Sequence, residues 1–205
     1  MNRLLGLALL VVSVLCAGGN SQAAIFQYYA NLDGPSESPP NASPGSGLAL
    51  VAFDSTAHTL DVDATFSGLI GTTTVAHIHS PTAVPGTGVA GVATMTPTFA
   101  GFPAGVTSGV YSAIFDTTLL STYNAPFVTA NGGTAAGAEA GLAASLAAGT
   151  AYFNIHSSVF GGGEIRGFLQ PVPEPASLLV WGLGALGLIG WARRRPETSW
   201  APIVR

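Results

Sequence analysis

The stretch Ala151–Gly167, with the sequence AYFNIHSSVFGGGEIRG, predicts a β-hairpin around which the rest of the chain is arranged. A strand over Ala151–Ser157 is followed by a loop with three consecutive glycines, and a second strand begins at Glu164. Because side chains alternate across a strand, one face of this hairpin is apolar. The opposite face collects the polar residues Asn154, His156, Glu164 and Arg166.

A second pair of histidines lies on a predicted strand upstream. In Val75–His79, with the sequence VAHIH, the side chains of His77 and His79 point to one side of the strand and those of Ala76 and Ile78 point to the other. Three of the four histidines of the chain can therefore lie on one sheet face. Two imidazoles at i and i+2, joined by His156 from a neighbouring strand, can bind zinc or copper, and Glu164 can add an oxygen ligand.

A polar network without a metal explains the same residues. In this interpretation the side chains of the polar face form hydrogen-bonded cross-strand pairs, and Arg166 holds Glu164 two residues away. These pairs join His77, His79, Asn154 and His156. A fixed cation such as Arg166 also opposes the binding of a metal cation. The sequence leaves both interpretations open.

Residues 24–171 are predicted to form one all-β domain. Period-two alternation is clearest in Thr59–Phe66, where apolar residues alternate with polar ones. The alanine-rich segment Thr134–Ala148 predicts one short helix, with Leu142 and Leu146 four residues apart. About eight strands separated by turn-forming segments predict an antiparallel β-sandwich or barrel. The other strands outside the hairpin are expected at 25–32, 48–54, 72–80, 89–95 and 110–115.

The charges of this domain are few and mostly negative. Eight acidic residues lie between residues 24 and 171 beside a single basic one, Arg166, and the whole chain has no lysine. A protein that binds nucleic acid needs cations to displace the counterions of the phosphates. The composition therefore argues against nucleic acid as a partner, and equally against attraction to anionic lipid.

The N-terminal residues 1–23 predict a secretory signal peptide. Arg3 precedes the apolar run Leu4–Ala17, and Ser21-Gln22-Ala23 is a small-x-small cleavage signal. The run is shorter than the roughly 20 apolar residues that a membrane span needs. The only cysteine, Cys16, lies in this segment and would leave with it.

The C-terminal residues 172–195 predict a sorting signal. Pro173-Glu174-Pro175 precedes an apolar run over 176–192, which can form a helix of about 26 Å and so just cross a bilayer core. Arg193, Arg194 and Arg195 follow and are expected to stay cytoplasmic, and a short tail, 196–205, comes after them. On hydropathy alone, this apolar run is best explained as a permanent C-terminal membrane anchor. The order of the three parts resembles the PEP-CTERM sorting signal, which implies recognition by an exosortase and removal of the helix.

Four motifs, which occur in the family's order, resemble the CHRD domain of chordin and of many secreted bacterial proteins. They are YANLDG at 29–34, AHIH at 76–79, YFNIH at 152–156 and GGEIRG at 162–167. The resemblance runs from the first strand to about Leu169. It implies an immunoglobulin-like or related β-barrel fold and no particular activity.

The His-x-His pair with a distant third histidine is also similar to the copper ligands of Cu/Zn superoxide dismutase, itself an antiparallel β-barrel. No histidine lies between Ser80 and Ile155, so the bridging imidazole and the separate zinc site of that enzyme have no counterparts.

These observations predict an exported, exosortase-sorted protein of the cell surface or extracellular space. We expect a non-enzymatic binding or matrix module, with exopolysaccharide or other matrix components as partners. The alternative is a mononuclear copper or zinc protein that binds its ion through the three histidines. This hypothesis includes a redox-active protein. No serine lies in a Gly-x-Ser-x-Gly elbow, so no catalytic residue is predicted. His58 is expected to be a solvated turn residue, and Glu37, in a proline-rich loop, to be either part of a site or a turn anchor.

Overall fold

The computed structural model describes residues 25–173, and eight antiparallel strands form one sheet in this part of the chain. The strands follow the order β4-β6-β7-β1-β2-β3-β5, and the short β8 pairs with β1. The sheet is curled like half of a barrel. Its strands are β1 (Ile25–Asp33), β2 (Ser46–Asp54), β3 (Thr59–Ser67), β4 (Thr73–His79), β5 (Gly109–Asp116), β6 (Tyr152–Ser157), β7 (Ile165–Phe168) and β8 (Gln170–Pro171).

The alternation of the sequence decides which side of the sheet becomes the core. Along β3, Leu60, Val62 and Ala64 are buried, and the residues between them are more exposed. Phe99 comes from the long β4–β5 connection and packs on this side, where its ring stacks on Phe153 at a centroid distance of 5.8 Å. The apolar residues of β4 and β6 belong to the same buried cluster.

Two α-helices and one 3-10 turn at Leu120–Thr122 lie between β5 and β6. Helix α1 (Ala125–Ala130) is short, and helix α2 (Ala135–Ala147) is the alanine-rich segment. Thr134 caps α2 by accepting a hydrogen bond from the Gly137 amide, and Gly149 follows the helix with a φ of 66°. Leu142 and Leu146 are both fully buried, as their spacing predicts.

The structure confirms the antiparallel all-β expectation and corrects two of its details. One continuous sheet replaces the two facing sheets of a sandwich. The predicted strand at 89–95 is absent from the described residues, and only isolated bridges such as His79↔Val92 occur there. The segment instead runs along the edge of β4, where the hydroxyl groups of Thr94 and Thr98 accept the hydrogen bonds of the Ile78 and Ala76 amides. Threonine side chains thus replace the carbonyl groups of a neighbouring strand.

The predicted signals at both ends lie outside the described residues. They are the signal peptide over 1–23 and, from Glu174 onward, the Pro-Glu-Pro motif, the apolar run and the arginine cluster. Within residues 25–173 no helix is long and apolar enough to cross a membrane.

Glycine is required at position 167, where β7 approaches β1. A Cβ atom on Gly167 would lie 2.1 Å from the backbone oxygen of Asn31, far inside contact distance. We expect Gly167→Ala to lower the free energy of unfolding by about 1–3 kcal/mol, because the backbones must move apart. Urea denaturation of the purified protein measures the change. Gly162→Ala, in the same hairpin and with open space around its Cβ, is the control and is expected to stay within about 0.5 kcal/mol of the parent. Equal effects of the two changes would contradict this account.

Candidate metal centre

Strands β4 and β6 bring His77, His79 and His156 together on the side of the sheet opposite the core. The antiparallel register places Val75 opposite His156 and His77 opposite Asn154. The centroids of the three imidazole rings lie 5.4–5.8 Å apart, and one ligand atom from each lies within 4.8 Å of the others. The predicted convergence of the three histidines is therefore observed.

All three histidines are buried, although the sequence suggests a polar face for them. Every residue of β6 is buried, because the apolar core covers one face of the strand and loops cover the other. These loops are the segments after β1, after β4 and after β6. Those after β4 and β6 contribute backbone carbonyl groups to the histidines, and the segment after β1 contributes one to Arg166.

Each imidazole donates one N–H group to a loop carbonyl. The acceptors are the carbonyl of Pro97 for Nε2 of His77, that of Ala90 for Nδ1 of His79 at 2.9 Å, and that of Gly161 for Nδ1 of His156 at 3.0 Å. A carbonyl oxygen can only accept, so the bonded nitrogen carries the proton. The other nitrogen of each neutral ring then has a free lone pair. These three nitrogens, Nδ1 of His77 and Nε2 of His79 and of His156, are buried without a hydrogen-bond partner.

The environment keeps the three rings neutral. The pKa of His79 is lowered to about 4, mainly by burial; the Ala90 carbonyl raises it, and the proximity of His156, His77 and Arg166 contributes to the lowering. Burial also lowers the pKa values of His77 and His156. Neutral imidazole is the form that binds metals. The cluster is therefore in its ligand form at neutral pH.

Arg166 lies beside the cluster and is neutralised in part by Glu37. Its guanidinium Cζ is 4.8 Å from the centroid of the Tyr152 ring, which in turn stacks on His79 at 4.9 Å. Its Nε lies 3.8 Å from a carboxylate oxygen of Glu37 and donates to the Ser36 carbonyl. Arg166 also donates to the Gly88 carbonyl at 3.0 Å. Arg166 thus pairs with Glu37, and the predicted pairing with Glu164 is wrong.

Glu164 does not join the three histidines as a fourth ligand. Its carboxylate accepts hydrogen bonds from the Ser43 hydroxyl at 2.6 Å and from the Ile70 and Gly71 amides. Burial alone would raise the pKa of Glu164, but these bonds and one from Ser157 outweigh it and lower the pKa. The fully buried Glu164 therefore links the hairpin by hydrogen bonds to the loops around Ser43 and Ile70. The expectation that it approaches the histidines is corrected.

Asn154 and Glu37 complete the polar side of the cluster. Asn154 is buried and its Oδ1 has no hydrogen-bond partner, and the same is true of Oε1 of Glu37. Both side chains meet above Gly163: a Cβ there would lie 2.5 Å from Glu37 Oε1 and 2.6 Å from the Asn154 amide atoms. Burial raises the pKa of Glu37 to about 7, and Arg166 and the Ser38 amide oppose the rise. Of the two expectations for Glu37, a place in the site is the one that fits.

The polar-network interpretation has little support in these contacts. Each histidine bonds a backbone carbonyl, and among the hydrogen bonds of residues 25–173 none joins two of the three histidines or reaches the Asn154 side chain. The fourth histidine, His58, lies elsewhere and is not merely solvated. Its Nδ1 is 2.9 Å from a carboxylate oxygen of Glu139.

The comparisons with known proteins identify the family and the sorting motif. Residues 28–169 match the family model for the CHRD domain, and residues 171–195 match that for the PEP-CTERM protein-sorting motif. No curated protein and no solved structure matches the chain. The chain belongs to the CHRD-domain family, because that match covers more than half of it. The sorting motif implies export, recognition by an exosortase and a transient membrane-bound stage.

The lowered pKa values of the histidines predict how stability depends on pH in the presence of a chelator. In the unfolded chain a histidine takes up a proton near pH 6.5, whereas His79 in the folded protein does so only near pH 4. Protonation therefore favours the unfolded state as the pH falls through this window, and His79 alone removes about 2–3 kcal/mol. The parent should lose more stability between pH 7 and pH 4.5 than His79→Gln.

Urea denaturation of both proteins at several pH values measures this difference. The raised pKa of Glu37 gives a pH dependence of the opposite sign, which cancels in the comparison because both proteins contain Glu37. A pH-independent difference between parent and variant would show that His79 is not buried in its neutral form.

Proposed function

We propose that this exported CHRD-domain protein binds one copper or zinc ion through His77, His79 and His156. The observation that carries the proposal is that one ligand atom from each of the three imidazoles lies within 4.8 Å of the others. In each ring one nitrogen is buried without a partner, and the other is fixed by a hydrogen bond to a loop carbonyl. Such a bond to the outer nitrogen is the usual way in which a protein sets the tautomer and direction of a metal-binding histidine.

The energetics favour an ion over an empty polar cluster. Three buried acceptors that lack a hydrogen-bond donor each cost about 1–3 kcal/mol of stability. A metal ion satisfies all three at once. Ligand atoms bound at 2.0–2.1 Å in a tetrahedral site lie roughly 3.4 Å apart, so small rotations of the rings close the triangle of less than 4.8 Å.

The ligand chemistry selects the kind of metal. Imidazole suits zinc and copper, whereas calcium and magnesium require oxygen ligands. The cluster offers three nitrogens, and the nearest carboxylates are engaged with other groups: Glu164 with hydroxyl and amide donors and Glu37 with Arg166. The charge of Arg166, which opposes a metal ion, is offset by Glu37 at 3.8 Å.

The wider role of the protein stays a prediction. A binding or matrix module at the cell surface, with exopolysaccharide or matrix components as partners, is compatible with a bound ion. A redox role would require copper, because zinc does not change its oxidation state under physiological conditions.

Metal analysis of the full chain, purified in detergent because of its C-terminal apolar run, tests the proposal. We expect about one equivalent of copper or zinc after loading and dialysis, because a single cluster of three histidines is present in residues 25–173. His79→Ala should reduce the bound metal below about 0.1 equivalent. His58→Ala is the matched control, because His58 lies on Glu139 away from the cluster, and it should retain the full equivalent. Equal loss in both variants, or no metal in the parent, would refute the proposal.

Sorting is expected to remove the C-terminal helix. Pro173-Glu174-Pro175 and the arginines at 193–195 lie within the matched sorting motif. In a host with an exosortase, the parent should leave the inner membrane, and a variant with Pro173, Glu174 and Pro175 replaced by alanine should stay there at full length. Cell fractionation and the mass of the product measure this. A parent that stays embedded at full length would contradict the expectation.

A further inference from the structure

We propose that the bound ion keeps one exchangeable coordination position, directed at Asn154 and Glu37, which holds water or hydroxide and accepts a small anion in its place. This inference rests on the proposed metal function. It adds that the three histidines leave one coordination position open, that this position faces Asn154 and Glu37, and that small anions bind there.

The first observation is the placement of Asn154 among the ligands. Asn154 lies opposite His77 in the register of β4 and β6 and two residues before His156, so its side chain shares their face. Its Oδ1 is buried and has no hydrogen-bond donor. The free nitrogens of the three histidines are acceptors as well and cannot supply one.

The second observation is that Glu37 adds another buried acceptor without a hydrogen-bond partner next to Asn154. Its Oε2 faces Arg166, at 3.8 Å from Nε, and its Oε1 has no partner. Gly163 lies against both Oε1 and the Asn154 amide, so these two groups are neighbours. The backbone φ of Gly163 is +132°, and a side chain there would fill the place where they meet.

The three histidine nitrogens and the two oxygens of Asn154 and Glu37 are all acceptors without a partner. Three nitrogens require a cation, and two nearby oxygens require O–H donors. A metal ion with one bound water supplies both, because the ion takes the lone pairs and the water donates to Asn154 and Glu37. A closed four-ligand site would leave the two oxygens unsatisfied, at the usual cost of about 1–3 kcal/mol for each buried group.

Charge favours an anion at this position. Three neutral imidazoles leave the charge of a divalent ion uncompensated, and Glu37 offsets only the charge of Arg166 beside it. Glu37 is the only carboxylate that pairs with Arg166 among the described residues. Hydroxide or another small anion bound to the metal therefore reduces the excess positive charge.

A cleft lies beside Glu37 and Gly163, on the side of the cluster where Asn154 and Glu37 meet. It has a volume of about 290 Å³ and is lined by Glu37, Pro39, Pro40, Phe160, Gly162 and Gly163. Glu37 and Gly163 thus line the cleft and also lie against the Asn154 amide or beside it. Gly161, whose carbonyl holds His156, lies between two residues of the same wall.

Azide is the probe for the open position. The full chain in detergent is loaded with Cu(II) and titrated with azide at pH 8, and the azide-to-copper charge-transfer absorption is recorded. A terminal nitrogen of azide forms a bond to copper as water leaves, and no electron is transferred. We expect saturable binding to the parent protein.

Two variants and one control locate the position. Glu37→Gln replaces a carboxylate by a neutral group of the same shape, so azide should bind several-fold more tightly. Asn154→Asp adds a negative charge beside the metal and should weaken azide binding about tenfold, equivalent to 1.4 kcal/mol. Glu139→Gln changes a buried carboxyl that bonds His58 and Thr117 instead of the cluster, so it should leave azide affinity unchanged. Copper content is measured in all four proteins, so that azide affinity is compared per bound copper ion, and Glu139→Gln should keep a copper stoichiometry near one.

The outcomes separate the two proposals. A parent that retains neither copper nor zinc after loading removes the metal function itself. Bound copper without any azide band shows a closed site and overturns only this inference. Azide binding that Glu37→Gln and Asn154→Asp leave unchanged shows an open position that faces elsewhere, and it overturns the inference as well.

Discussion

The antiparallel pairing of β4 with β6 is the constraint on which the candidate metal centre depends. Its register places Val75 opposite His156 and His77 opposite Asn154, so residues 77 and 81 positions apart in sequence share one small area. A shift of one residue would turn every histidine toward the apolar core. Apolar packing prevents that shift, because Ile78, Phe153 and Ile155 are completely buried on the other face. The core therefore specifies the register, and the register specifies the site.

The sheet places the imidazoles, but the loops determine what they can do. Three backbone carbonyls, from Ala90, Pro97 and Gly161, select one tautomer for each ring and turn its lone pair inward. Backbone carbonyls suit this task because they cannot be protonated and add no net charge. The loops also exclude water from the cluster, which explains why the histidine pKa values are lowered rather than raised.

The alternation of the sequence was sufficient to predict the three histidines, and insufficient for the groups around them. Strand period and residue type identify His77, His79 and His156. Alanine-rich composition and the four-residue spacing of Leu142 and Leu146 identify the helix. The carbonyl partners belong to loops, whose backbone direction carries no sequence signal. Glu164 shows a different limit, because it precedes the first residue of β7 and the alternation rule no longer applies there. Its carboxylate binds Ser43 and the amides of Ile70 and Gly71 instead.

Arg166 illustrates how a buried charge is made compatible with a neighbouring cation site. It is the only basic residue between 24 and 171, and its burial would be unfavourable without partners. Two carbonyl oxygens, the faces of Tyr152 and Phe168, and the carboxylate of Glu37 surround it. Each of these partners also limits where the guanidinium can move. Because Glu37 comes from the loop after β1 and Gly88 from the loop after β4, Arg166 ties together two of the loops that cover the histidines. The guanidinium whose charge opposes a metal ion thus holds together two of the loops that bury the histidines.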